Sequence, residues 1–355
     1  MINSPKFKTS PVAQSRLKAF DLNRIEFGKI ISDHMLVSDY KNEVWAPPEI
    51  VPYGPLSISP VASSLHYGQT VFEGLKAFRM STGKISVFRM QKHYDRLSKS
   101  LERMCMPQIP FEYFCEGIRQ LVETDACWVP EHAGNSLYIR PFVFASNEER
   151  FGAHISEEYR FVIFTGPVGA LYQKPIRVKV EDHFMRASKG GTGFAKCGGN
   201  YGAAFYPARK ARKEGFDQVL WTDGSDALHI EESGTMNVMF VIDGIVVTPP
   251  LSDTILDGVT RDSFLTLARE LGYKTEERKI GVAELITAFG KGKLQEAFGA
   301  GTAAIAAPIH SITIRGEEYI VPAMDQQSLM NRLKEKLLAI RTGVQPDVHQ
   351  WNTLV

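Results

Sequence analysis

Apolar and polar positions change period several times along the chain, and each change predicts an element. Leu75–Met80 and Lys84–Met90 alternate in the manner of strands around Ser81-Thr82-Gly83, which predicts a hairpin. Gln91 to Cys105 then takes up helical spacing until Pro107 and Pro110 close it. A second amphipathic helix fits Phe111 to Val122, and strand-like runs follow at Ser136–Ala145 and Tyr159–Thr165. The breakers Gly166-Pro167-Val168-Gly169-Ala170 read as a connection, after which Ile176–Val180 opens a new set of strands. That set continues at Gln218–Trp221, Leu228–Glu232, Met236–Val241 and Ile245–Thr248, with an Asp243-Gly244 turn between the last two. Helices are expected at Arg261–Leu271, Val282–Phe289 and Gln327–Ile340, and the Pro-containing tail from Gly343 reads as irregular.

The pattern predicts a two-domain α/β protein of the mixed, α+β kind. A smaller N-terminal domain is expected at 1–166, a connection at 167–175 and a larger domain at 176–355, in line with about two domains for a chain of 355 residues. A hydrophobic share of 44% and a charged share of 23% allow a sizeable core and argue against disorder. With 41 Lys and Arg against 40 Asp and Glu, there is no basic field to draw a nucleic acid. The 4 cysteines form no C-x-x-C pair, so neither a disulfide scaffold nor a zinc site is expected and a reducing cytoplasm is the simplest location. Met1–Arg16 lacks the apolar core of a secretory signal, and no apolar stretch approaches the roughly 18 residues of a membrane span.

Candidate chemistry concentrates in the glycine-rich segment Gly190 to Gly202, which holds Lys196. It is no Walker A loop, because Ala195 and Cys197 flank the lysine. A dinucleotide fingerprint fails there too, and Gly299-x-Gly301-x-x-Ala304 is followed by Pro308. A lysine among glycines can instead meet a planar carbonyl cofactor, with its amine desolvated toward Schiff-base chemistry. Pyridoxal phosphate would further need a carboxylate at its ring nitrogen and a phosphate cradle. Glu231 and Glu232 are both candidates, on opposite faces of one strand, so only one can reach a ring. Asp257-Gly258-Val259-Thr260-Arg261 precedes a helix whose N-terminus suits an anion, although Thr260 reads equally as a helix cap. The small-residue loop Gly299 to Ala304 offers further N–H groups and a hydroxyl.

Gly193-Phe194-Ala195-Lys196-Cys197-Gly198-Gly199-Asn200-Tyr201, Glu232-Ser233-Gly234-Thr235-Met236-Asn237, Gly258-Val259-Thr260-Arg261 and Gly301-Thr302-Ala303 together resemble the branched-chain aminotransferases. Tyr67-Gly68-Gln69-x-x-Phe72-Glu73-Gly74-Leu75-Lys76-Ala77-Phe78 and Tyr138-Ile139-Arg140-Pro141-Phe142 agree, so the resemblance runs from about Phe27 to Leu338. It implies the two-domain fold of the fold-type IV pyridoxal phosphate enzymes. By this resemblance Lys196 is both the anchor of the cofactor and its general acid/base, and Glu232 is the carboxylate at the ring nitrogen. Tyr201 resembles the tyrosine on the phenolic oxygen, and Arg96 the phosphate-binding arginine. Val259, Thr260 and Thr302 resemble the remaining phosphate contacts, with Thr235 steadying the Glu232 side of the ring.

For substrate, the resemblance implies aromatic walls at Phe27, Tyr67, Phe72 and Tyr138, a distal-carboxylate acceptor at Arg140, and backbone donors at Thr302-Ala303 for the α-carboxylate. The implied reaction is reversible ping-pong transfer of an amino group from L-leucine, L-isoleucine or L-valine to 2-oxoglutarate by a homodimer. The nearest alternatives are a D-amino acid aminotransferase, an aminodeoxychorismate lyase, or an L-aminotransferase taking aromatic residues and methionine. Ala304 and Ala307 stand where some relatives, notably the mammalian enzymes, carry a C-x-x-C pair, so no thiol switch is expected there.

Overall fold

The structure of the chain, a computed structural model, describes residues 5–22, 25–132, 134–169, 171–172, 174–225 and 228–355. Met1 to Ser4, Ala170 and Gln173 of the expected connection, and Ala227 before the expected strand at 228 lie outside the described residues. The chain forms two compact units, one of residues 1–171 with 195–198 and 339–355, the other of 172–194 with 199–338.

The first unit is built on a ten-stranded sheet. Its path runs Lys8–Thr9, Glu49–Pro52, His34–Lys41, Tyr159–Val168, Ser136–Ala145, Leu75–Arg79, Ile85–Phe88 and Asn352–Leu354, with Thr70–Phe72 beside Ser136–Ala145. The short helix α1 (Ser63–Tyr67) precedes Thr70–Phe72, and α2 (Met90–Arg103) and α3 (Phe111–Thr124) supply the apolar faces. On α2 the buried residues are Met90, His93, Arg96, Leu97, Ser100 and Leu101; on α3 they are Phe114, Gly117, Ile118, Leu121 and Val122. Both sets follow the i, i+3, i+4, i+7 spacing of a one-faced helix. At ~1.5–3 kcal/mol for each large apolar side chain buried, this face stabilises the unit far more than helix propensity does.

Two sequence expectations change here. The run 166–168, read as the start of a connection, continues the strand Tyr159–Val168, with Tyr138 paired to Gly166 and Leu137 to Pro167. Pro167 is tolerated because the strand's other neighbour pairs only from Tyr159 to Phe164, so no ladder bond is missing at the proline. Gly166 is required for a different reason: a Cβ there would lie 2.2 Å from the carbonyl oxygen of Ile30. The tail from Gly343, expected to be irregular and placed with the second domain, ends in Asn352–Leu354, which pairs antiparallel with Ile85–Phe88 in the first unit's sheet.

The second unit carries a nine-stranded sheet. Ile230–Ser233, Gln218–Thr222, Ile176–Glu181, Ile305–Ile314, Leu294–Gly301 and Met236–Ile242 follow one another, and the last pairs back onto the first, closing these strands into a ring. Ile245–Thr248 and Thr275–Glu277 extend it, with Glu317–Ile320 beside Ile305–Ile314. The Asp243-Gly244 turn has φ of 54° and 76°, the left-handed pair a two-residue hairpin needs. The strand expected from Leu228 begins at Ile230, because Leu228 takes a φ of 43°. Around the ring lie α4 (Gly198–Lys213), α5 (Val259–Glu270), α6 (Val282–Gly290) and α7 (Leu329–Arg341). Among the described residues no helix is long and apolar enough to cross a membrane.

Candidate active site

In the first unit, residues 195–198 are held by backbone. Val71 bridges Cys197, Phe72 N donates to Lys196 O at 3.0 Å, and Lys196 N donates to Ser100 Oγ at 2.9 Å. The lysine main chain is thereby fixed from both sides, and its Nζ lies 4.5 Å from the centre of the Phe72 ring. The same ring takes the Arg140 guanidinium at 4.8 Å, so one aromatic face system serves both cations.

Tyr138 and Arg140 share a face of the strand Ser136–Ala145, two residues apart. Arg140 Nη2 donates to the Tyr138 hydroxyl at 3.2 Å, while its Nε is buried without a hydrogen-bond partner. The Tyr138 ring meets Phe27 edge-on at 5.4 Å. Gly74 makes room for this arrangement, since a Cβ there would fall 1.9 Å from the Tyr138 hydroxyl. The structure therefore brings Lys196, Phe72, Arg140, Tyr138 and Phe27 together. Tyr67 ends α1, 48% exposed, with His66 as its ring neighbour rather than this cluster.

Arg96 lies buried on α2, its Nε 2.6 Å and its Nη2 2.9 Å from the two oxygens of Glu73. Burial alone would raise the Glu73 pKa, but Arg96 and His93 overcome it and hold the carboxyl well below the usual carboxylate range. Burial pushes the His93 imidazole down despite its contact with Glu73.

In the second unit, Glu232 is buried on Ile230–Ser233 and collects three neighbours. Leu256 N donates at 2.9 Å and Asn237 Nδ2 at 3.3 Å to Oε1, while Arg186 Nε lies 3.0 Å from Oε2 as an ion pair without hydrogen-bond alignment. Arg186 also donates through Nη2 to the carbonyls of Gly193, at 3.2 Å, and Thr254. Glu231 faces a different set. Thr254 Oγ1 donates to its Oε1, its Oε2 is buried without a partner, and burial raises its pKa. The alternation expected of a strand thus separates the two carboxylates.

Helix α5 begins at Val259 after a Gly258 cap with no side-chain capping bond, so Thr260 is not the cap. Thr260 Oγ1 is buried and unpartnered, an orphan hydroxyl beside the free amides of a helix N-terminus. Tyr201 is half-buried in the first turns of α4, which Asn200 ties to Thr192 by two bonds of 2.7 Å. Thr302 and Ala303 are half-buried in the turn between Leu294–Gly301 and Ile305–Ile314, and Thr235 is exposed in the turn after Ser233. A Cβ at Gly258 would stand 1.8 Å from Asn237 Oδ1, so any larger residue there must displace the Asn237 side chain. Gly258→Ala is therefore expected to cost ~1–3 kcal/mol by overpacking and to loosen the Asn237 contact to Glu232; thermal unfolding and cofactor retention would read this.

In the first unit the unpartnered Arg140 Nε and a lysine on an aromatic face suit an anionic group and a carbonyl carbon; in the second, taken by itself, the orphan Thr260 hydroxyl and the buried Glu232 suit the phosphate and the ring nitrogen of a planar cofactor. Sequence reading missed Arg186 and the role of Glu73 and Ser100, which act through contacts that periodicity does not carry. Asn237 stood within the motif that contains Glu232, and its neighbour there was its signal.

The profile of the family described as amino-transferase class IV matches residues 70–312. The chain is 42% identical over 338 residues to a probable branched-chain-amino-acid aminotransferase of Staphylococcus aureus (strain N315), covering 94% of each. It is 42% identical over 339 residues to branched-chain-amino-acid aminotransferase 2 of Bacillus subtilis (strain 168), covering 94% of this chain and 93% of the relative. Among solved structures, the branched-chain amino acid aminotransferase of Escherichia coli superposes with a TM-score of 0.74 at 25% identity, covering 90% of this chain and 98% of that one. The chain belongs to the class IV amino-transferase family, in its branched-chain-amino-acid aminotransferase branch.

Proposed function

We propose that the chain, as a cytoplasmic homodimer, transfers the amino group of L-leucine, L-isoleucine or L-valine reversibly to 2-oxoglutarate, using pyridoxal 5'-phosphate. The observation that carries this reading is the Phe72 ring, which takes the Lys196 amine at 4.5 Å and the Arg140 guanidinium at 4.8 Å. A proton-transfer group and an anion receptor on one aromatic wall suit a pocket that must accept both an apolar side chain and a carboxylate.

The residues suited to the cofactor are Lys196 for its aldehyde carbon, Arg96, Val259, Thr260 and Thr302 for its phosphate, Tyr201 for its phenolic oxygen and Glu232 for its ring nitrogen, with Thr235 beside the last. When bound, the cofactor supplies an electron-accepting ring that lets the Cα–H bond of an amino acid break. Lys196 Nζ takes the Cα proton and later returns one, which its fixed main chain and Phe72 contact allow without a search. Leu256 N, Asn237 Nδ2 and Arg186 orient the Glu232 carboxylate, which suits it to the ring nitrogen. Phe27, Phe72 and Tyr138 exclude water from an apolar side chain, whereas Tyr67 lies outside this cluster; Thr302 and Ala303 suit the α-carboxylate.

Arg140 divides the two substrates. Its guanidinium serves glutamate's distal carboxylate, a charge-assisted contact of about 1.5–3 kcal/mol, whereas leucine does not use it. Arg140→Leu is expected to slow the L-glutamate half-reaction by roughly 10- to 100-fold while the L-leucine half-reaction changes by less than about threefold. Stopped-flow absorbance reads both, and equal losses would contradict the assignment.

A further inference from the structure

The tripeptide Phe72-Glu73-Gly74 concentrates three jobs in consecutive residues. The Phe72 ring receives the Lys196 amine, and Gly74 admits the Tyr138 hydroxyl. Between them Glu73 points into the unit, fully buried, with both carboxylate oxygens engaged. Oε1 accepts from Arg96 Nε at 2.6 Å; Oε2 accepts from Arg96 Nη2 at 2.9 Å and Gly74 N at 3.0 Å, and lies 2.8 Å from His93 Nδ1.

We propose that Glu73 is a positioning residue for the cofactor phosphate: its carboxylate grips one edge of the Arg96 guanidinium and so sets the direction in which Arg96 meets the phosphate. This rests on the reading of Arg96 as the phosphate-binding arginine. A guanidinium is planar, so two parallel bonds on one edge fix the plane and aim the remaining donors. His93 and Arg96 are three residues apart on α2 and reach the same carboxylate, which leaves Glu73 little freedom to turn. A buried ion pair is seldom better for stability than apolar side chains of the same volume, so geometry is the property this one contributes. The network also reaches the main chain of the catalytic lysine. Ser100 Oγ accepts from Lys196 N at 2.9 Å and donates to Arg96 O at 2.9 Å, so helix α2 carries the phosphate arginine and braces the lysine together.

The test compares pyridoxal 5'-phosphate with pyridoxal, which lacks the phosphate, in reconstituting the cofactor-depleted full-length enzyme. Affinity is read from the visible absorbance of the bound cofactor, with thermal melting in parallel. Glu73→Gln is expected to weaken pyridoxal 5'-phosphate by about tenfold or more, as loss of a partner that orients a binding group does, and pyridoxal by less than about threefold. Equal weakening of both would overturn the proposal, leaving Glu73 a support of the fold around Lys196. Arg96→Met is the separate check on the underlying reading: it should erase most of the preference for the phosphorylated form, and an unchanged preference would sink the phosphate role of Arg96 itself. Should Glu73→Gln fail to fold, Glu73→Gln with Arg96→Met removes both charges. That pair should bind each cofactor as Arg96→Met alone does, and a further loss confined to pyridoxal 5'-phosphate would overturn the proposal.

Discussion

Lys196→Ala is expected to lower kcat for amino transfer by about 10³-fold or more, since a positioned acid–base group contributes roughly 10²–10⁴ and the cofactor anchor is lost as well. The fold should survive. The bonds that fix residue 196, from its N to Ser100 Oγ and from Phe72 N to its O, are main-chain bonds at that position and persist in alanine. The amine itself contributes a cation–π contact to Phe72, worth only ~0.5–1 kcal/mol at a partly exposed site. A coupled assay of 2-oxo acid formation, with circular dichroism as the control for folding, separates chemistry from stability. Added methylamine should restore part of the lost rate. Turnover of the alanine variant within tenfold of the parent would remove Lys196 from the mechanism.

Glu232→Ala should be nearly as damaging for a different reason. The carboxylate is held by Leu256 N, Asn237 and Arg186, and its removal takes the ion-pair partner from Arg186, whose side chain is 10% exposed. Breaking a buried pair from one side costs about 3–5 kcal/mol, and loss of the ring-nitrogen partner should lower kcat by roughly 10²-fold or more. Glu231→Gln is the internal comparison. Its Oε2 is buried and unpartnered and burial already favours its neutral form, so the amide should keep kcat within about threefold. Thermal melting and steady-state rates on the two variants read the contrast. A larger loss in Glu231→Gln than in Glu232→Ala would show that the two carboxylates had been assigned the wrong way round.

Local rules made much of this legible. The helices α2, α3, α5 and α6 and the hairpin at Asp243-Gly244 were readable because their spacing and turn chemistry are contained within a few residues. Helix α4 was not read, since Gly198, Gly199 and Gly202 at its start and Pro207 within it are poor helix formers overridden by packing. The strand through Pro167 and the tail strand Asn352–Leu354 depend on partners far away in sequence, which periodicity cannot see. Among the site residues, motif context singled out Lys196, Glu232, Arg96 and Arg140. The side chains that hold them, Glu73 on Arg96, Ser100 on Lys196 and Arg186 on Glu232, emerged only from contacts in space.

The most direct measurement is the half-reaction without a second substrate. The purified holoenzyme, yellow from bound pyridoxal 5'-phosphate, is mixed separately with L-leucine, L-glutamate and D-alanine while the visible band is followed. Rapid bleaching by both L-leucine and L-glutamate, with none by D-alanine, is the predicted result. Bleaching by D-alanine alone would contradict the branched-chain assignment, and no bleaching by any of the three would contradict amino transfer itself.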